Sequence, residues 1–140
     1  MKKIIFTYLF LFLVFNLYAQ TVPFTFSIEN IGSDKGSILV SICSNADEFA
    51  EREPCKYSFS IPAKKGTITQ QINIDKGMYS IIVYHDENSN NMLDMAMFGK
   101  PIERYGFSNN KYGAFGSKPP FSEALINIDG QTSAAIKLRK

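Results

Sequence analysis

From residue 20 onward, apolar side chains recur at every second position in one short run after another, and no window sustains a helical stripe. Such runs need one face buried and leave the other to solvent, a demand that sheets packed face to face satisfy. The candidate strands are residues 22–31, 37–43, 56–61, 67–74, 78–85, 123–128 and 132–138. Turn-forming clusters separate them, among them Gly32-Ser-Asp-Lys-Gly36, Pro62-Ala-Lys-Lys-Gly66, Asp75-Lys-Gly77 and Asp129-Gly130. The pattern predicts an all-β fold, a single β-sandwich of about seven strands. One short helix is expected over residues 45–52.

The start of the chain breaks this pattern. Lys2 and Lys3 precede a nearly uninterrupted apolar stretch, residues 4–14, and Leu17-Tyr18-Ala19 stands before Gln20. A charged start, an apolar middle and a small residue before a cut make a secretory signal peptide, and the segment is short for a membrane span. Residues 1–19 are therefore assigned as signal peptide and 20–140 as the β-sandwich domain, exported to the periplasm or beyond the cell. No cysteine follows the cut, so a lipid anchor there is not expected, and no stable membrane span should remain. Without Lys2 and Lys3, the 15 basic residues fall to match the 13 acidic ones. A neutral chain without a basic stripe argues against nucleic acid as a partner.

Cys43 and Cys55 are the two cysteines. In an exported chain they are expected to form a disulfide closing the short helical excursion between two strands. Asp75-Lys-Gly-Met-Tyr79 fits the start of a strand in a tyrosine corner, in which the Tyr hydroxyl bonds to backbone a few residues upstream.

Between His85 and Phe121 the alternation stops for about 35 residues, a length that usually marks a functional loop or disorder. Aromatic content favours order: Phe98, Tyr105, Phe107, Tyr112, Phe115 and Phe121 lie here among four glycines. The loop is expected as an ordered cap over one end of the sandwich, with Phe98, Phe107 and Phe115 as its own small core and Tyr105 and Tyr112 as contact residues. His85, Tyr105, Phe107, Ser108, Asn109 and Tyr112 form the candidate binding loop for an envelope protein or a glycan.

The loop opens on Asp86-Glu-Asn88-Ser-Asn90-Asn-Met92-Leu-Asp94. Oxygen-bearing side chains at alternate positions suit a loop coiled around a hard cation, which takes ligands from its positions 1, 3, 5 and 9 and a backbone carbonyl from 7. Asp86, Asn88, Asn90, Asp94 and Met92 occupy those places, making Ca2+ the candidate cofactor. Asn91 replaces the usual glycine, and Met97 stands where a closing Glu belongs, leaving Glu87 or Glu103 to supply that carboxylate. The competing reading is a polar turn whose Asx side chains bond their own backbone.

Catalysis offers fewer marks. His85 is the one histidine, beside Asp86 and Glu87, and Ser108 or Ser117 could serve as nucleophile with Glu103 or Asp94 as orienter. There is no nucleophile elbow and no phosphate cradle. The alternative function, a small periplasmic hydrolase or lyase using His85, therefore stands behind a non-catalytic module.

From Gly77 onward the chain resembles a bacterial family of exported proteins known as domain of unknown function 2141. The residues that carry the resemblance are Gly77 and Tyr79, Tyr84 to Asn88, Asn90-Asn91, Leu93-Asp94, Gly99, Pro101, Glu103, Gly106 to Asn109, Phe121 and Glu123-Ala124. The resemblance implies a signal peptide and a β-sandwich related to transthyretin-like or carboxypeptidase-regulatory-like modules, and no established activity; with the tyrosine corner, the fold expected is an Ig-like or transthyretin-like sandwich. The resulting expectation is an exported, non-catalytic binding or structural module of the cell envelope.

Overall fold

The alternation resolves into eight strands, one short helix and four 3-10 turns over the residues that the computed structural model describes, 20–130 and 132–140. The signal-peptide assignment on residues 1–19 lies outside the described residues. Strands β1 (Thr21–Ile31), β2 (Ser37–Cys43), β3 (Tyr57–Pro62), β4 (Gly66–Asp75) and β5 (Gly77–Asp86) fall within about one residue of the expected runs. The stretch after β5 is not a continuous loop, because β6 (Arg104–Phe107) interrupts it. The expected strand at 123–128 shortens to β7 (Ile126–Ile128), since Pro120 and Phe121 carbonyls capture the Glu123 and Ala124 amides in a 3-10 turn. β8 (Ser133–Lys137) closes the order.

Two sheets result. One runs β4-β1-β8, with β1 antiparallel to β4 and parallel to β8. The other runs β3-β2-β5-β6 in antiparallel pairs, and β7 joins it through the first residues of β5. The main core lies between them: Phe24, Phe26 and Ile28 of β1 meet Ile38, Val40 and Ile42 of β2 and Ile81 and Val83 of β5, all at most 1% exposed.

β5 departs from simple alternation. Its odd residues fill the main core, while Ile82 and Tyr84 on its other face join a second cluster with Phe49, Tyr105, Phe107 and Ala124. A strand buried on both faces reads as a continuous apolar run rather than an alternating one. The aromatic cap therefore covers the outer face of the β3-β2-β5-β6 sheet, not one end of the sandwich as expected.

The excursion between β2 and β3 is pinned twice. Cys43 and Cys55 are joined, with Cα atoms 4.5 Å apart. Helix α1 (Ala46–Phe49) is a single turn capped by the Asn45 side chain, which accepts from the Asp47 and Glu48 amides. The Glu48 carboxylate then accepts from the Ser44 amide and hydroxyl, the Asn45 amide group and the Lys56 amide at 2.7–3.0 Å. Burial would raise its pKa, but these donors outweigh burial and hold it below the ordinary value.

The tyrosine corner is present. Tyr79, 3% exposed, donates its hydroxyl to the Asp75 carbonyl at 3.0 Å, and its ring meets Tyr57 edge-on. Burial pushes its phenol pKa up. Removing that hydroxyl leaves a part-buried carbonyl short of a partner, so Tyr79→Phe is expected to cost about 1 kcal/mol in denaturant melts. An unchanged midpoint would mean that water replaces the bond.

Candidate binding groove and acidic loop

Beyond Asp86 the chain turns on its own side chains. The Asp86 carboxylate accepts from the Asn90 and Asn91 amides at 3.1 and 2.8 Å, and Asn91 takes a left-handed φ of 62°, the conformation for which glycine was expected. Asn88 and Asn90 each accept a backbone amide two residues on, from Asn90 and Met92, as Asx turns do. Their amide groups both donate to the Asp94 carboxylate. Three of the expected ligands, Asn88, Asn90 and Asp94, thus meet at one point, with Asp86 bound to the intervening backbone. Glu103 ties the base of the loop by accepting from the Glu87 and Asp94 amides at 2.8 and 3.0 Å. Glu87 reaches away, accepting from the Ser33 hydroxyl at 3.1 Å. Among the described residues, no group of three or more His, Cys, Asp or Glu is placed to hold a metal.

His85 is fully buried, its Nε2 2.9 Å from the Lys35 carbonyl oxygen and its Nδ1 without a hydrogen-bond partner, 3.7 Å from the Glu87 carboxylate. Ser108 is buried too, donating to the Ala124 carbonyl and accepting the Ile81 amide. The two side chains are thus engaged with different backbone groups rather than with each other. Asn109 donates to the Glu123 and Leu125 carbonyls, and Tyr112 donates to the Lys137 carbonyl beneath the Arg139 guanidinium. These residues of the expected binding loop act as ties between the cap and the sandwich.

The rings are sorted differently from expectation. Phe107 does pack inside, and Tyr105, expected as a contact residue, is 4% exposed with its hydroxyl on the Gly116 carbonyl at 2.6 Å. Phe98 and Phe115, expected in the loop's own core, are fully exposed. Their backbone is the reason: each has a positive φ, 66° and 54°, and stands before a glycine that does too, in a turn that points the ring outward. The two turns share a pair of bonds, to which the second adds one from the Ser117 amide to the Ala114 carbonyl. In one, the Ala96 amide donates to the Lys100 carbonyl and the Gly99 amide to the Ala96 carbonyl. In the other, Gly113 donates to Ser117 and Gly116 to Gly113.

Between these turns lies a groove of about 890 Å³. Tyr84, Leu93, Tyr105 and Phe107 contribute its more buried surface, and the exposed Met92 and Met95 extend it. Glu51 and Lys118 also line it but are mutually engaged: the Glu51 carboxylate accepts from the Tyr84 hydroxyl at 2.7 Å and pairs with the Lys118 ammonium at 3.1 Å. Burial, reinforced by the Glu51 carboxylate, pushes the Tyr84 phenol far up. Neither Glu51, Lys100 nor Lys118 stood out in the sequence. The doubled Phe-Gly pair was the available signal, since a ring before a left-handed glycine marks a tip.

A family model described as an uncharacterized protein conserved in bacteria (DUF2141) matches residues 26–136. The chain belongs to that family. The DUF2141 match spans both sheets, the acidic loop and the groove, which agrees with the resemblance drawn from Gly77 onward. No curated protein and no solved structure matches the chain. In this DUF2141 chain no helix among the described residues is long and apolar enough to cross a membrane.

Proposed function

We propose that this DUF2141 chain is an exported, non-catalytic binding module of the bacterial envelope that takes an apolar ligand in the groove between Phe98 and Phe115. The observation that carries the reading is the placement of two fully exposed rings at the mouth of an apolar groove of ligand size. Export rests on the charged and apolar start of the sequence and accords with the disulfide. Titration with the uncharged fluorophore N-phenyl-1-naphthylamine tests the groove. Saturable enhancement is expected, and the double variant Phe98→Ser/Phe115→Ser should weaken it by about tenfold at an unchanged melting temperature. Absence of any enhancement would remove the groove from the account.

The meeting of Asn88 and Asn90 on Asp94 favours a second role for the acidic loop, as a weak Ca2+ site. Rotating the two amide groups would give up their bonds from the Asn90 and Met92 amides and present oxygens in place of nitrogens beside the Asp94 carboxylate, where a cation could replace the N–H donors. With only Asp86 and Asp94 as carboxylates, affinity should lie near the millimolar range of extracellular modules. Ca2+ at about 10 mM is then expected to raise the melting temperature, and Asp94→Ala to abolish the rise. Equal melting with and without Ca2+ would leave the loop as Asx-stabilised backbone.

A further inference from the structure

Of the groove's polar side chains, Glu51, Tyr84, Tyr105 and Lys118 are already committed, while Asn91, Ser117 and Lys100 make no side-chain hydrogen bond among the described residues. The Tyr84 hydroxyl donates to Glu51, the Tyr105 hydroxyl to Gly116, and the Lys118 ammonium serves both Glu51 and the Phe49 carbonyl. A sugar or an extended peptide seated there would leave hydroxyls or amides without partners, at the desolvation cost of each. An alkyl chain incurs no such cost. It also suits the Met92 and Met95 thioethers, which mould to irregular apolar guests.

One lining charge has no match. Lys100, in the turn that carries Phe98, makes no side-chain hydrogen bond or ion pair among the described residues, whereas the Glu51 and Lys118 charges cancel. The strain supports a use for the tips as well: a left-handed aromatic residue is costly, and these two gain no packing in return. A concave site between two such tips holds a single guest better than it meets a flat surface.

We propose that the groove binds the hydrocarbon chain of a single anionic amphiphile, a long-chain carboxylate, with its head at the Lys100 ammonium. The proposal rests on the apolar-groove reading and adds the head-group chemistry. The test is displacement of N-phenyl-1-naphthylamine by dodecanoate and dodecyltrimethylammonium below their micelle concentrations and by 1-dodecanol below its solubility limit, from the full chain and from Lys100→Glu. Dodecanoate is expected to displace the probe at least about fivefold better than the trimethylammonium compound, with the order reversed in Lys100→Glu and dodecanol unchanged. Since the Lys100 side chain has no partner among the described residues to lose, the variant should melt with the parent. If the probe binds but the three heads rank alike in both proteins, the inference fails and the groove stands. If the probe does not bind, both fail. Cosedimentation with phosphatidylglycerol vesicles without displacement by monomeric dodecanoate would overturn the proposal in favour of a bilayer surface.

Discussion

Phe107→Ala is expected to destabilise the protein by about 4 kcal/mol, the usual cost of emptying a buried phenylalanine site. Phe107 is 2% exposed and stands at the centre of the second cluster, its ring meeting Phe49, Tyr105 and Tyr112 at centroid distances of 6.1, 5.8 and 5.6 Å. Those neighbours come from α1, from β6 itself and from the segment after it, so the vacancy cannot collapse by moving one element alone. Urea melts of Phe107→Ala and Phe107→Leu make the comparison, with leucine expected to recover about half of the loss. A loss below about 1 kcal/mol for alanine would mean that the cap is not part of the cooperative unit.

The second large effect belongs to the disulfide. Replacing both partners, Cys43→Ala/Cys55→Ala, is expected to cost about 3 kcal/mol through the freedom returned to the unfolded chain. The excursion should stay in place at neutral pH, because the Glu48 carboxylate holds Ser44, Asn45 and Lys56 independently of the bridge. That second tie is acid-sensitive. Glu48 has a depressed pKa in the folded state, so its contribution is fully present above the ordinary value of 4.5 and is lost as the pH falls through the lower folded value. The double variant should therefore unfold at a higher pH than the bridged protein on acid titration followed by circular dichroism. Coincident acid transitions would show that Glu48 does not share the work of the bridge.

How far the sequence could be read follows from which faces a strand buries. β1 and β2 alternate because each packs one face on the core, so their limits were legible. β6 was not: it has only four residues, and Gly106 takes its inward place, where a Cβ would meet Ile136 at 2.9 Å. With no apolar side chain to mark that inward face, the strand looked like more loop. The disulfide and the tyrosine corner were visible because each is a local device with a fixed spacing. The groove was not, since it is built from two turns and a sheet face far apart in sequence, and because exposure of Phe98 and Phe115 is a matter of φ, which residue type alone does not reveal. The acidic loop lies between these cases: its spacing predicted the approach of Asn88 and Asn90 to Asp94, while the diversion of Glu87 toward Ser33 depended on a segment more than fifty residues away.

The parallel pairing of β1 with β8 has a bearing on the order in which the molecule can be made. Thr25 sits beside Ser133, and Glu29 beside Lys137, so β1 waits for a partner more than a hundred residues further along the chain. Until then β1 can pair with β4 alone, and one whole edge carrying Phe26 and Ile28 stands open to any other chain. Loop closure over such a distance is slow, so the edge of β1 stays unpaired longer than any local contact would leave it. Completion of that sheet is thus a single late event at β8, which makes Ser133–Lys137 the latch of the sandwich.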